Sequence, residues 1–273
     1  MQWFFIFLLS FGLASADLDD KQFSDYLQLL KDHPKLAKLG NYKDGDIEIV
    51  IDKKTVEKIS KMQTKRFISE GEKKDEANEH SKIGVIARDK YWIWIRDAVI
   101  FPSGASGTYD RIVKTSDILK NPNNGVSILP VTADKKILLV VIYRHALRDW
   151  SIEVPKGSID NNDPLLVSTE RKLRYETGLN ASEFIYLGDI VPDSGTSALT
   201  MPCYFAKVTA KGIPRPCYSE AILGIIELSV DEVKKGLCAG SLDVDVKGKK
   251  VKGLMKDAYL THSLLMAEQK KLL

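Results

Sequence analysis

Hydrophobic residues recur along this chain with two spacings, one typical of helices and one typical of strands. Phe23, Tyr26 and Leu30 follow the helical spacing, which breaks at His33-Pro34. The mixed charges from Gly71 to Lys82 predict a solvated loop. The remaining predicted elements are the strand IEIVID, a helix over Thr55 to Ile68, a YWIWI strand within Lys90 to Val99, strands on both sides of a turn at Ala133 to Lys135, a helix from Ser229 to Leu237, two short strands about Gly248 and a helix over Leu254 to Leu272.

A helix with clear start and stop signals is predicted in the middle of the chain. Asp163 followed by Pro164 is a suitable N-cap with proline at the first helical position. Gly178 can supply the left-handed residue that ends a helix. The chain between these residues is long enough for about four helical turns.

The faces of this helix differ in chemistry. Lys172, Tyr175 and Glu176 are three and four residues apart, so their side chains are expected to emerge on one face. A cluster of carboxylates on such a face would form a metal site. The side chains predicted to project on the other faces and pack against a sheet are those of Leu165, Leu166, Thr169 and Leu173.

The stretch from Gly157 to Leu179 resembles the Nudix box, G-x5-E-x7-R-E-U-x-E-E-x-G-U with U aliphatic, a loop and helix that hold divalent metal against a diphosphate. Asp163 stands where the first glutamate belongs. Two positions depart from the pattern, because Lys172 and Tyr175 replace glutamates. The residues that fall on their required positions with no insertion are Gly157, Arg171, Leu173, Glu176, Gly178 and Leu179.

The flanking segments extend this resemblance to the ADP-ribose and ADP-sugar pyrophosphatase branch. Upstream, SILPVTADKKILLVVIYRHALRDWSIEVPKG is similar to its strand, turn, strand and YRxxxxxWxxExPxG run. The resemblance covers Arg96 to Leu237 and implies an α+β fold, an α/β/α sandwich with a mixed β-sheet, an N-terminal α/β extension and a C-terminal helix. The implied domains are a signal peptide over 1–16, the extension over 17–95 and a Nudix-like domain over 96–273.

The resemblance also implies a reaction and its cofactor. Divalent ions in Nudix hydrolases bridge the oxygens of a diphosphate and neutralise the charge that builds as water attacks phosphorus. The implied cofactor is therefore Mg²⁺ or Mn²⁺, and the implied substrate is a nucleoside diphosphate linked to another moiety. Metal binding is assigned to Lys156, through its backbone carbonyl, and to Glu176, Asp163 and Glu153; catalytic roles are assigned to Glu176, Glu220 and Arg171.

Substrate contacts are predicted from the same resemblance. Arg144 is the strongest candidate, since a planar guanidinium can grip a diphosphate with two hydrogen bonds. The other predicted substrate-binding residues are Arg111, Gly157 and Lys172.

The two replaced positions weaken the predicted metal site. Three carboxylates would give the helix face a charge of about −3, whereas the charges of Lys172 and Glu176 cancel. One pair of unit charges about 4 Å apart is worth roughly 4 kcal/mol at an effective dielectric near 20, and a divalent ion doubles this. Lys172 lies four residues before Glu176, so we expect an ion pair that places an ammonium near the position of the metal.

Three functions remain open from the sequence. The first is an ADP-ribose or ADP-sugar type pyrophosphatase with a rearranged metal site and reduced or altered activity. The second is a catalytically inactive Nudix-fold protein that binds a nucleotide or a protein partner. The third is a structural or transport role in which the pocket is vestigial.

Composition and the first residues constrain location and partners. The formal charge of +3 over 273 residues gives no argument for a nucleic-acid partner. MQWFFIFLLSFGLASA has an apolar stretch followed by a small-x-small site, so a cleaved signal peptide and export are expected, with an uncleaved anchor as the alternative. No membrane association is expected after cleavage, and the C-terminal helix is a candidate for homodimer formation. Three cysteines are too few for a disulfide scaffold.

Overall fold

The computed structural model describes residues 19–34, 36–115, 125–158, 164–197 and 199–273, and the chain divides into two compact units, Met1–Thr115 and Ser116–Leu273. The predicted signal peptide lies outside the described residues and stays a prediction. The sequence placed the start of the second domain at residue 96. In the structure this position lies inside a continuous strand, Trp92–Ile100, that pairs within the first unit, so the division falls after Thr115.

The described residues of the first unit form three α-helices and a four-stranded antiparallel sheet. The sheet has the order β1-β3-β2, and β4 pairs with the other edge of β3. The elements are α1 (Asp20–Asp32), β1 (Glu48–Ile49), α2 (Lys53–Ser69), α3 (Lys74–His80), β2 (Gly84–Arg88), β3 (Trp92–Ile100) and β4 (Ser106–Lys114).

Local sequence explains the two longer helices of this unit. Asp19 and Asp52 are N-caps whose carboxylates accept hydrogen bonds from Gln22 N and Thr55 N. The short helix α3 contradicts the prediction of a solvated loop from Gly71 to Lys82. It buries only Ala77, so it carries too little apolar periodicity to be recognised.

A buried polar triad joins α1 to the sheet of the first unit. The Tyr26 hydroxyl donates to Asp97 Oδ1 at 2.5 Å, and Arg111 donates to Asp97 through Nε at 2.5 Å and Nη2 at 3.0 Å. Burial raises the pKa of Tyr26, and the negative charge of Asp97 raises it further. The phenol therefore acts as a donor to a buried carboxylate that Arg111 neutralises.

The second unit is built on a nine-stranded mixed sheet with the order β12-β13-β7-β6-β5-β10-β9, in which β11 also pairs with β6 and β8 with β5. The pairs β10–β5 and β13–β7 are parallel, and the other pairs are antiparallel. The strands are β5 (Val126–Val131), β6 (Lys136–Arg144), β7 (Asp149–Glu153), β8 (Lys156–Gly157), β9 (Leu179–Ile190), β10 (Met201–Lys211), β11 (Ile222–Ser229), β12 (Ser241–Val246) and β13 (Lys249–Leu254).

Helices cover this sheet on both faces. Their bounds are α4 (Leu165–Thr177), α5 (Val230–Ala239) and α6 (Ala258–Gln269). Leu129 on β5 packs in one core cluster with Val233 of α5 and Leu260 of α6. Its neighbour Ile128 belongs to a second cluster with Leu173 of α4, because successive strand residues point to opposite faces. The predicted α/β/α sandwich with a mixed sheet is therefore confirmed.

Several predicted boundaries also hold. Ser229 caps α5 through a capping box with Glu232, and a hairpin turns at Gly248. The C-terminal helix is shorter than the predicted Leu254 to Leu272. Leu254 ends strand β13, and Asp257 caps the helix by accepting from Tyr259 N.

The described residues contain no helix that is both long and apolar enough to cross a membrane. The three cysteines are free thiols, of which Cys203 is buried and Cys217 and Cys238 are exposed.

We predict that Tyr26→Phe lowers the free energy of unfolding of the first unit by about 1–3 kcal/mol, because Asp97 loses a donor in a buried site. Urea titration monitored by hydrogen–deuterium exchange in β3 measures this loss. Tyr91→Phe, at an exposed position of the same unit, is the matched control and should be neutral. An equal stability for both variants would show that the Tyr26 hydroxyl contributes nothing.

Candidate functional site

Helix α4 has the ends that its sequence predicts to within one residue. Gly178 is left-handed with φ 71°, and its N–H donates to the Arg174 carbonyl at 2.8 Å. Pro164 is the N-cap and Leu165 the first helical residue, while Asp163 lies outside the described residues. Leu173 and Thr169 are fully buried, as predicted, whereas Leu166 is half-exposed and does not pack in the core.

The centre of the site is the ammonium group of Lys172, which lies between two carboxylates. Its Nζ is 2.5 Å from Glu176 Oε1, one turn along α4, and 3.1 Å from Glu220 Oε1. The side chain of Glu176 is only 5% exposed, and those of Lys172 and Glu220 are 21% and 24% exposed. The predicted ion pair between Lys172 and Glu176 is therefore present, with Glu220 as a second partner.

The glycine of the box makes room for this arrangement. A Cβ atom at Gly157 would lie 2.5 Å from Lys172 Nζ and would overlap Lys172 Cε. It would also lie 3.3 Å from Glu176 Oε1. Any side chain at Gly157 therefore displaces the ammonium from its carboxylate partners.

The loop after β10 is tied to α4 and fixes Glu220. Gly212 N donates to the Gly178 carbonyl at 2.7 Å, and Arg215 N donates to the Tyr175 carbonyl at 2.7 Å. Within the loop, Glu220 Oε2 accepts from Cys217 N at 3.1 Å. These bonds hold Glu220 beside the ammonium of Lys172, although Glu220 lies 44 positions after Glu176 in the sequence.

The three charged groups perturb one another's proton affinity. Burial raises the pKa of Glu176, the ammonium of Lys172 opposes this rise and Glu220 adds to it, so that the pKa is about 7. Burial alone would also raise the pKa of Glu220, but hydrogen bonding to Lys172 lowers it overall. The pKa of Lys172 is raised because its two carboxylates outweigh the effect of burial. Lys172 is thus held as a cation, and Glu176 can exchange a proton near neutral pH.

A second ionic cluster connects the sheet to α6. Glu153 Oε2 accepts from Arg144 Nη2 at 2.5 Å and from Lys156 Nζ at 2.6 Å, and Arg144 Nε lies 3.0 Å from Glu153 Oε1. Lys156 Nζ also lies 2.9 Å from Asp257 Oδ1, and Asp257 Oδ2 accepts from Val154 N at 3.2 Å. The N-cap of α6 is therefore bound to strand β7 through buried charge.

The pKa directions of this second cluster follow from its geometry. Burial alone would raise the pKa of Glu153, but hydrogen bonds from Arg144 and the charge of Lys156 outweigh it and lower the pKa to about 2. Asp257 is more deeply buried, so its pKa is raised although Lys156 opposes the rise. Hydrogen bonding to Glu153 raises the pKa of Arg144 against the effect of burial. Lys156 of this cluster precedes Gly157, which packs against Lys172 and Glu176, so the two clusters lie close together.

Comparisons with known proteins match this geometry to one fold. A crystal structure described as that of an ADP compounds hydrolase superposes with a TM-score of 0.50 at 15% identity, over 68% of this chain and 89% of that chain. The chain has the Nudix hydrolase fold.

Sequence comparison gives a relative with a different description. The chain is 26% identical over 117 residues to the methanol dehydrogenase activator of Bacillus methanolicus. This match covers 42% of the chain and 63% of that relative, so it spans less than two thirds of the relative's length. No family model matches the sequence.

The described residues of this Nudix fold do not fit a divalent-metal site. They contain no group of three or more Asp, Glu, His or Cys side chains arranged to hold a metal ion. Glu176 and Glu220 share the ammonium of Lys172, and Glu153 is neutralised by Arg144 and Lys156. A divalent ion about 4 Å from the ammonium would be repelled by roughly 8 kcal/mol at an effective dielectric of about 20.

The other predicted site residues lie in different surroundings. Arg144 is beside the Nudix helix, but Glu153 binds its Nε and Nη2 atoms. Arg111 lies in the first unit, where its guanidinium forms an ion pair with Asp97. Arg171 is partly buried on α4, and the side chain of Lys156 binds Glu153 and Asp257. Tyr175 is half-exposed, so it does not share the buried environment of Glu176.

Asp257 is a site residue that the sequence did not reveal. Asp257 precedes an apolar helical run, which is the usual position of an N-cap. The sequence predicted a helix that begins at Leu254, so Asp257 was not recognised as a cap. Its ion pair with Lys156 joins residues 101 positions apart and depends on the tertiary fold.

We predict that Glu153→Gln lowers the free energy of unfolding at neutral pH by about 3–5 kcal/mol, because Arg144 loses its carboxylate in a buried site. The folded-state pKa of Glu153 is depressed, so its stabilising contribution is present above the ordinary pKa near 4.5 and is lost as the pH falls towards about 2. Urea titrations of parent and variant at several pH values should therefore converge in acid.

The matched control is Glu170→Gln, which removes an exposed carboxylate from α4. Its unfolding free energy should stay within about 0.5 kcal/mol of the parent. A Glu153→Gln protein as stable as this control would contradict the structural role of the second cluster.

Proposed function

We propose that this chain is a Nudix-fold protein that binds a nucleoside diphosphate linked to another moiety, of the ADP-ribose or ADP-sugar class, without a divalent metal and without rapid hydrolysis. The observation that carries the proposal is the ammonium of Lys172, which occupies the space between Glu176 and Glu220. An ammonium neutralises negative charge, but it supplies no Lewis acidity to polarise a phosphoryl oxygen and activates no water.

Lys172 and Arg144 are the cations of the site that remain partly accessible, with side chains 21% and 36% exposed. Glu220 is the more exposed of the two carboxylates at Lys172 and lies on a loop. A phosphate oxygen of the ligand can replace Glu220 at the ammonium, while Glu176 keeps Lys172 oriented. Arg144, held by Glu153, then presents its remaining N–H groups to the second phosphate.

The two relatives support complementary parts of this proposal. The structural neighbour is described as an ADP compounds hydrolase, which favours a ligand of this chemical class. The sequence relative is described as an activator of a dehydrogenase, which favours a role other than turnover of the ligand. We propose that the function of this protein depends on binding the ligand and not on cleaving it.

A slow hydrolase is the second candidate, and one observation favours it. The pKa of Glu176 is about 7, which suits a group that accepts or donates a proton near neutral pH. In this alternative Glu176 and Glu220 act on water, and Arg171 has an orienting role. Proton transfer without electrostatic activation of the phosphate gives only a modest rate.

The test is isothermal titration of the parent chain with ADP-ribose, in EDTA and in excess MgCl₂, together with an assay for released AMP. We expect the same affinity in both buffers and no AMP above background. Lys172→Glu combined with Tyr175→Glu removes the ammonium and adds two carboxylates to the Nudix helix. This variant should gain magnesium-dependent binding and release of AMP.

Arg174→Glu is the matched control, because it makes the same charge change as Lys172→Glu on an exposed face of the same helix. It should gain neither property. Magnesium-dependent turnover by the parent that Glu176→Gln abolishes would contradict the proposal and favour the hydrolase. Absence of ADP-ribose binding by the parent would exclude both candidates.

A further inference from the structure

The sheet of the first unit carries an uncovered aromatic surface. Trp92 and Trp94 are two residues apart on β3, so their side chains point to the same face of the sheet. They are 43% and 38% exposed. Ile112 lies opposite Trp94 on β4 and is 42% exposed. These three residues form what we call the tryptophan shelf. Large apolar side chains grouped in this way mark an interaction surface more often than isolated ones do.

The shelf occupies only one end of the sheet face. Farther along β3, Arg96 points to the same face and donates to the His80 carbonyl at the end of α3, at 2.6 Å. Ala98, the next residue on that face, is fully buried. On the opposite face, Tyr26 of α1 contacts Asp97. In the part of the chain that the structure describes, helices of the unit therefore cover the rest of the sheet and leave the tryptophan shelf open.

The shelf is concave and apolar. Its residues line a groove of about 520 Å³ together with Ala87, Arg88 and Asp89. Trp92 and Trp94 are two residues apart in an extended strand, so the same-face positions are spaced by about 7 Å. An extended peptide repeats its own side chains at the same interval.

The rim of the shelf is positively charged. Lys114 Nζ lies 5.6 Å from the Trp92 ring, and Lys90 Nζ lies 5.4 Å from the exposed Tyr91 ring. Arg88 is also exposed. The carboxylate of Asp89 is hydrogen-bonded to the backbone, since its Oδ1 accepts from Tyr91 N and Trp92 N at 2.6 Å each. Arg88 lines the groove, Lys114 lies on the Trp92 ring and Lys90 lies beside them at the tip of the β2–β3 hairpin. The acid that lines the groove, Asp89, is internally bonded, so the surface complements a negatively charged partner.

We propose that the tryptophan shelf is a docking site for an acidic peptide segment of a partner protein, in which acidic residues alternate with leucine or aromatic residues. The apolar side chains of the segment enter the groove against Trp92 and Trp94. Its carboxylates pair with Lys90, Lys114 and Arg88. This site lies wholly in the first unit, so it adds a protein partner to the nucleotide-binding proposal and does not depend on it.

The experiment uses the full chain and a fluorescein-labelled synthetic peptide that alternates glutamate with leucine, followed by fluorescence anisotropy. We expect saturable binding that weakens as salt rises. Lys90→Glu with Lys114→Glu should lower the affinity at least about tenfold, as should Trp92→Ala with Trp94→Ala. The same peptide with glutamine in place of glutamate should bind at least about tenfold more weakly.

One control variant makes the result specific. Lys250→Glu with Lys252→Glu introduces the same charge change on the exposed β13 strand and should leave the affinity unchanged. The lysine pair on the shelf is at the surface, so that variant decides the question even if the double tryptophan variant does not fold. Binding that survives the Lys90 and Lys114 changes would overturn the proposal.

A third arm separates a peptide from a lipid surface. Vesicles of phosphatidylcholine with phosphatidylglycerol offer negative charge without a chain of alternating side chains. Little or no vesicle binding supports the peptide assignment. Vesicle binding that requires Trp92 and Trp94, with no peptide binding, would overturn it and identify the shelf as a membrane contact.

Discussion

The chemistry of this protein depends on one ion triplet, in which the ammonium of Lys172 is shared by Glu176 and Glu220. Removing such charges from water is costly, and only mutual pairing makes their burial tolerable. Three backbone features hold the triplet together: Gly157 leaves room for the lysine, Gly178 ends α4, and the loop before Glu220 is hydrogen-bonded to that helix. The positive charge at the centre of this site is therefore supplied by a side chain of the protein.

The second ionic cluster joins the sheet beside this triplet to the C-terminal helix. Arg144 and Lys156 neutralise Glu153, and Lys156 also reaches Asp257 at the start of α6. Strands β6, β7 and β8 are therefore joined to the C-terminal helix by buried charges. The two clusters lie close together, because Lys156 precedes Gly157, which packs against Lys172 and Glu176.

Much of the second unit could be predicted because its signals are local. Gly178, the capping box at Ser229 and the hairpin about Gly248 each specify a backbone conformation through their own chemistry. The ion pair of Lys172 with Glu176 was predictable for the same reason, since helical geometry alone brings these residues together. Its second partner, Glu220, was identifiable only as a candidate acid on a later loop.

What escaped prediction depends on contacts between distant segments. Asp257 meets Lys156 only after the sheet has formed, and Arg111 is taken up by Asp97 through the pairing of β3 with β4. Helix α3 was missed because its one buried residue, Ala77, gives no periodic pattern. The boundary between the units was misplaced because the resemblance to the pyrophosphatase branch begins at Arg96, whereas β3 continues to Ile100 within the first unit.

The central claim is that Lys172 takes the place of a divalent ion, and the most direct test is the binding of Mn²⁺ to the parent chain measured by electron paramagnetic resonance. Mn²⁺ reports its own free concentration, so the test needs neither substrate nor turnover. We expect no saturable Mn²⁺ binding at millimolar concentration in the parent, and we expect such binding to appear in the variant with Lys172→Glu and Tyr175→Glu. Stoichiometric micromolar Mn²⁺ binding by the parent that is lost in Glu176→Gln would contradict it.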